Sequence, residues 1–247
     1  MNPGEKNIDI RKFRFTKSSI NMLIDCPHAF YLRYIRGYPF ETGYFLERGT
    51  EAHKLISKHN SGAEIRADEL SSDMQTYLRN YQKITTKYDL RAPQHADLRM
   101  EHRCDDMVLG GELDAVYARH IDGGEKHVVV DYKTAASKLG KRKSPRLNTA
   151  EHLLKDYVLE LQIYSYLFQR SYPDADVQRY GIFFLSDAVF LHLPHDSEYT
   201  VMHAALARVR EVVEEGRYEP TRYQCSRCGG RSFCSAYLEG VLPPAAS

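Results

Sequence analysis

Three valines in a row, Val128-Val129-Val130, run straight into Asp131-Tyr132-Lys133-Thr134. An unbroken β-branched stretch is the mark of a strand buried on both faces. Two apart on a strand, Asp131 and Lys133 point to the same side. A buried strand that ends by presenting a carboxylate and an ammonium must compensate them, because unpaired charges are costly away from water. Seventeen residues before Asp131, Gly111-Glu112-Leu113-Asp114 belongs to the preceding strand candidate and can bring a second carboxylate to the same place. Two facing carboxylates repel unless a cation lies between them, and hard oxygen donors suit magnesium or manganese. The plainer reading of the same residues is an Asp–Lys pair at an exposed strand end.

The surrounding pattern is that of an α/β chain. Helical signals open at Thr16, resume after Cys26-Pro27 with Phe30, Tyr31, Tyr34 and Ile35 before stopping at Gly37, and return from Tyr44 to His59 with Phe45, Ala52, Leu55 and Ile56 on one face. Residues 64–92 read as polar helix, a lid or a bundle hairpin. Three consecutive strands are expected over Leu98–Arg103, Met107–Ala118 and Lys126–Thr134, with Asp122-Gly123-Gly124 as a hairpin turn. A long helix from about Thr149 to Ser171, strands over Arg179–Leu185 and Ala188–Leu193, and a helix from about Ser197 to Gly216 complete the order. Four segments follow: N-terminal helices over 1–42, a helical segment over 43–96, an α/β core over 97–216, and a cysteine-rich tail over 217–247.

The net charge of +1 provides no overall basic field, so any anion-binding surface must be local. No apolar run is long enough to span a membrane, and the first fifteen residues lack the apolar core of a secretory signal. A cytoplasmic protein is expected. In that compartment five cysteines suit metal ligation or burial better than disulfides.

Gly-x-x-Asp followed by Asp-Tyr-Lys-Thr resembles the core motif of the RecB-like branch of the PD-(D/E)xK nuclease superfamily. Leu113 stands where the family name has Pro, and Asp131 takes the Asp/Glu position. The resemblance implies a restriction-endonuclease-like core: helix, three-strand antiparallel meander, helix, strand. It implies a cation held by His53, Asp114, Asp131 and the carbonyl of Tyr132, with Lys133 orienting the attacking water or stabilising the charge that develops on phosphorus. Gln162 and Tyr166, four apart and so on one helix face, resemble the Gln-x-x-x-Tyr signature that lies beside the metal site and the DNA in that group.

Cys225-x-x-Cys228 is followed by Cys234 after five residues, and Cys26 lies far upstream. Four thiolates of this kind suit zinc or a four-iron cluster. The arrangement is similar to the iron–sulfur staple of the AddB subunit, the Dna-two nuclease domain and the CRISPR-associated Cas-four nucleases, which implies a [4Fe–4S] cluster of structural role, with zinc as the alternative. Cys104 falls outside the pattern and reads as a buried thiol.

Lys138, Lys141, Arg142, Lys143 and Arg146 form a basic loop directly after the catalytic strand, suited to phosphate or to simple solvation. Size and layout most resemble the Cas-four family. The expected function is therefore a metal-dependent nuclease of single-stranded DNA or DNA ends, serving CRISPR adaptation and antiviral defence, recombination or repair, with proteins of those systems as partners. The competing reading is an inactive DNA-binding or scaffolding subunit. No nucleotide-binding G-x-x-x-x-G-K-[ST] loop is present, so no motor of its own is expected.

Overall fold

The computed structural model describes residues 8–40, 44–90, 92–121, 124–141, 149–221, 225, and 228–239. In chain order the elements are β1 (Arg14–Phe15), α1 (Lys17–Asp25), α2 (Pro27–Phe30), α3 (Tyr44–Asn60), α4 (Ser72–Lys87), β2 (His95–Cys104), β3 (Met107–Ile121) and β4 (Gly124–Lys133). They continue with α5 (Ala150–Leu154), α6 (Val158–Ser171), β5 (Val177–Phe184), β6 (Val189–Pro194), α7 (Thr200–Glu215) and α8 (Ser235–Leu238). The predicted helix–three strands–helix–strand order is observed. Among the described residues no helix is long and apolar enough to cross a membrane.

The chain forms two compact units, one of 44–100 and 111–199, the other of 1–43, 101–110 and 200–247. In the first, β4 is the central strand. It pairs antiparallel with β3, Ala115 opposite Val130 and Val116 opposite Val129. Its other edge pairs in parallel with β5, Asp131 opposite Ile182, and β5 pairs antiparallel with β6. A strand flanked on both edges and covered on both faces has to be apolar, which is what the valine run supplies. Val128, Val130 and Tyr132 point to the layer made by α3 and α4, in one core with Ala52, Ile56 and Ile84.

Of the two readings of residues 64–92, a polar lid or a bundle hairpin, the described part fits the second: α4 packs beside α3. Met74, Tyr77, Tyr81 and Ile84 of α4 are buried in that core. Their i, i+3, i+7, i+10 spacing marks one apolar face, which the many polar residues between them obscured. This layer carries a row of buried phenols. Tyr81 donates to Asn60 Oδ1 at 2.6 Å, and hydroxyl–hydroxyl contacts of 2.9 and 3.0 Å link Tyr81 to Tyr117 and Tyr117 to Tyr132.

The single long helix expected over Thr149–Ser171 is divided. Thr149 caps α5 through His152 N, and α6 starts afresh at Val158. In the second unit β1 pairs in parallel with Val108 and Leu109, and α1 packs on α7. The helix expected after Cys26 is a short α2 followed by a π-helical turn, Tyr31–Ile35. It ends before Gly37, whose φ of +71° is open to glycine at little cost.

Candidate active site

Asp114 of β3 and Asp131 of β4 come from neighbouring strands of the antiparallel ladder and are both buried. Asp114 Oδ2 accepts a hydrogen bond of 2.6 Å from Tyr132 N, and Asp114 Oδ1 lies 2.9 Å from His53 Nδ1. The other imidazole nitrogen of His53, Nε2, is 3.0 Å from the Tyr132 carbonyl. His53, Asp114 and the Tyr132 carbonyl therefore meet around the end of β4. His53 reaches them from the middle of α3, whose buried face is Ala52, Leu55 and Ile56; the side chain of Phe45 lies outside the described residues.

Lys133 stands between two acids. Its Nζ is 2.7 Å from Asp131 Oδ2 and 3.1 Å from Glu160 Oε2. Glu160 enters from the first turn of α6 and is 5% exposed. Tyr164, one turn further, donates to Glu160 Oε1 at 3.5 Å. Gly111 makes room for that ring: a Cβ there would come within 2.9 Å of Tyr164 Cε1. The glycine of Gly-x-x-Asp thus has a packing reason, close approach of a strand to a helix side chain.

The electrostatics are crowded. Burial pushes the Asp131 carboxyl up; Lys133 opposes this, while Glu160 and Asp114 push it further. Burial works against the charged form of Lys133, but Asp131 and Glu160 outweigh it and keep the amine protonated. For His53, burial disfavours the imidazolium, yet the hydrogen bond and charge of Asp114, with the charge of Asp131, raise it to about 9. Three carboxyl groups face two basic side chains in a mostly buried place, so full ionisation of the acids would leave an excess of negative charge.

That excess and the donor set, two carboxylates, an imidazole and a carbonyl, fit a hard divalent cation. As placed, the donors are paired with one another and with Lys133. Among the described residues no group of three or more His, Cys, Asp or Glu side chains is arranged around a common ion position.

Gln162 and Tyr166 lie elsewhere on α6. Gln162 is buried, and its amide donates to Asp196 Oδ2 at 2.8 Å. Tyr166 packs edge-on against Tyr199, with centroids 5.4 Å apart, and lies under the Arg170 guanidinium. Two residues along a helix is about 200° of rotation, so Gln162 and Tyr166 face away from Glu160 and Tyr164. The second pair was missed in the sequence. Its signal was a lone acid inside the apolar run Val158-Leu159-Glu160-Leu161, four residues before a tyrosine.

Of the basic loop, Lys138 and Lys141 are described and exposed, and Arg142, Lys143 and Arg146 lie outside the described residues, as do Asp122 and Gly123 of the expected turn. The start of the loop is pinned: Ser137 donates from its N and Oγ to Asp187, and Leu139 N donates to Ser137 Oγ at 3.1 Å.

In the other unit, Cys26, Cys225, Cys228 and Cys234 line one cavity of about 30 Å³, and all are free thiols. Burial pushes the Cys225 thiol up, and the neighbouring Cys26, Cys234 and Cys228 push the same way. Four cysteines lining one cavity are the donor type that zinc or an iron–sulfur cluster takes, though as placed, among the described residues, they are not arranged around a common ion position. Cys104 is buried and is not among them.

Comparison with known proteins agrees with this layout. No curated protein matches. Among solved structures, a proposed exonuclease from Eubacterium rectale shares the fold at 13% identity, with a TM-score of 0.52 over 95% of this chain and 91% of its own. The structure of SSO0001 aligns at 14% identity over 92% of this chain and 88% of its own, with a TM-score of 0.42 that is too low to add to this. The family model of the PD-(D/E)XK nuclease superfamily matches residues 14–235, which include the residues of the carboxylate site and the four cysteines of the thiol cavity. With the carboxylates, the lysine and their strands inside that match, the chain belongs to the PD-(D/E)XK nuclease superfamily.

Proposed function

We propose that this chain is a metal-dependent deoxyribonuclease, an exonuclease on single-stranded DNA or DNA ends. The observation that carries the reading is the meeting of His53, Asp114 and the Tyr132 carbonyl beside Asp131 and a charged Lys133. His53, Asp114, Asp131 and the carbonyl of Tyr132 would hold the cation. Magnesium or manganese, when bound, supplies Lewis acidity at a phosphate oxygen and makes water a better nucleophile near neutral pH.

The side chains do the rest. Lys133 keeps its proton on Nζ, so it acts as a donor and a positive charge toward the phosphate rather than as a base. Asp114 ties His53 to the end of β4 through its two oxygens. Gln162 and Tyr166 support the site from the far side of α6, Gln162 by fastening the helix to the turn at Asp196. Lys138 and Lys141, with Arg142, Lys143 and Arg146, attract the phosphate backbone. The four cysteines hold a structural [4Fe–4S] cluster, or zinc. Spacer acquisition in CRISPR defence, recombination and repair are the roles that suit such an enzyme.

End-labelled single- and double-stranded DNA with manganese, magnesium or chelator tests the reading. Asp114→Ala and Lys133→Ala should each lower cutting by more than about 100-fold with the fold intact. Full activity in either variant, or in chelator, overturns it.

A further inference from the structure

Lys133 is held from two sides by carboxylates of different origin. Asp131 sits two residues away on β4, while Glu160 comes from α6. In the function proposed above, on which this inference rests, Asp131 also serves the cation. An oxygen turned toward a divalent ion loses much of its hold on an ammonium, because the same lone pairs serve both. A lysine side chain has four rotatable bonds and Lys133 is 23% exposed, so without a second anchor it would be free to swing out to water.

Glu160 can be that anchor. It is buried, its Oε2 is 3.1 Å from Nζ, and its Oε1 accepts from Tyr164, which packs where Gly111 leaves space. The Tyr157 ring, 5.9 Å from Nζ, closes another side. A buried carboxylate needs such compensation, so Glu160 and Lys133 depend on each other. We propose that Glu160 is a positioning residue that keeps the Lys133 ammonium at the reacting phosphate while Asp131 serves the cation.

The test compares wild type, Glu160→Ala, Glu160→Asp, Lys133→Ala and the double variant Glu160→Ala/Lys133→Ala. One readout is kcat and KM on end-labelled DNA with manganese. The other is the rate at which an amine-acylating reagent labels Lys133 with manganese and no DNA, read by mass spectrometry. Glu160→Ala should lower kcat by about 10- to 100-fold with little change in KM, and Glu160→Asp should recover part of the loss. The double variant should be no slower than Lys133→Ala alone, and Lys133 should label several-fold faster without Glu160. Independent, multiplying losses, or a folded Glu160→Ala with wild-type kcat and labelling, would overturn the proposal. If Glu160→Ala does not fold, the near-isosteric Glu160→Gln carries the same comparison. If Lys133→Ala cuts as well as wild type, the nuclease reading fails with it; if only the Glu160 variants are silent, that reading stands and this one falls.

Discussion

In the carboxylate site the side chains that crowd one another come from adjacent strands and the helix packed on them; in the thiol cavity they come from opposite ends of the chain. Asp114 and Asp131 are delivered by the neighbouring strands of the β3–β4 ladder. Cys26 and Cys225 are about 200 residues apart, so bringing them together closes a very long loop. The first cluster buries charge and costs the fold stability. The second gathers thiols of which only Cys225 is buried, and in the function proposed above their ligation would hold that unit together. On the proposed reading, activity and stability are placed in different parts of the chain.

The comparison can be broken most sharply at the cysteines. Cys26→Ala should abolish cofactor retention and lower the melting temperature by about 10 °C, a loss of a few kcal/mol, measured by calorimetry on anaerobically purified protein. A variant that melts like wild type would remove the structural role. The opposite sign is expected at the carboxylates. Asp131→Asn should lower cutting by more than about 100-fold, yet raise the melting temperature in chelator by about 2–4 °C, near 1 kcal/mol, because it relieves the excess of negative charge. A fall in melting temperature would mean that the acids are not in conflict.

Tyr117→Phe removes two hydroxyl contacts behind the site and should cost about 1–3 kcal/mol in denaturant unfolding. The smallest effect is a pH dependence. His53 is raised from 6.5 in the unfolded chain to about 9 in the fold. Its contribution is therefore complete below about pH 6.5 and is lost as pH rises through 9. The side chain is 32% exposed, so screening reduces the effect to about 1 kcal/mol. Urea titrations of the protein in chelator between pH 6.5 and 9.5 measure it, with His53→Gln as the flat control.

Much of this was legible beforehand. The valine run, the Gly-x-x-Asp and Asp-x-Lys spacing and the cysteine pattern depend on strand alternation and on ligand chemistry, both of which are local. What was not legible depended on rotation about a helix axis. Gln162/Tyr166 and Glu160/Tyr164 have the same spacing, and only the packing of α6 on β3 and β4 decides which pair meets Lys133. The core face of α4 was hidden for a similar reason: its anchors include two tyrosines whose hydroxyls need partners, and the residues between them are polar. The division between α5 and α6 left no proline or glycine to announce it.

The phenol row behind β4 has a direction. Asn60 Oδ1 can only accept, so Tyr81 gives its hydrogen to Asn60, Tyr117 gives to Tyr81, and Tyr132 gives to Tyr117. The three hydrogens are ordered like tipped dominoes, all leaning toward α3. Losing the Tyr132 hydroxyl removes the first tile and leaves the rest leaning, whereas changing Asn60 takes away the tile that sets the lean. Relatives of this chain should therefore shed the row from the Tyr132 end inward, with Asn60 and Tyr81 the last to go.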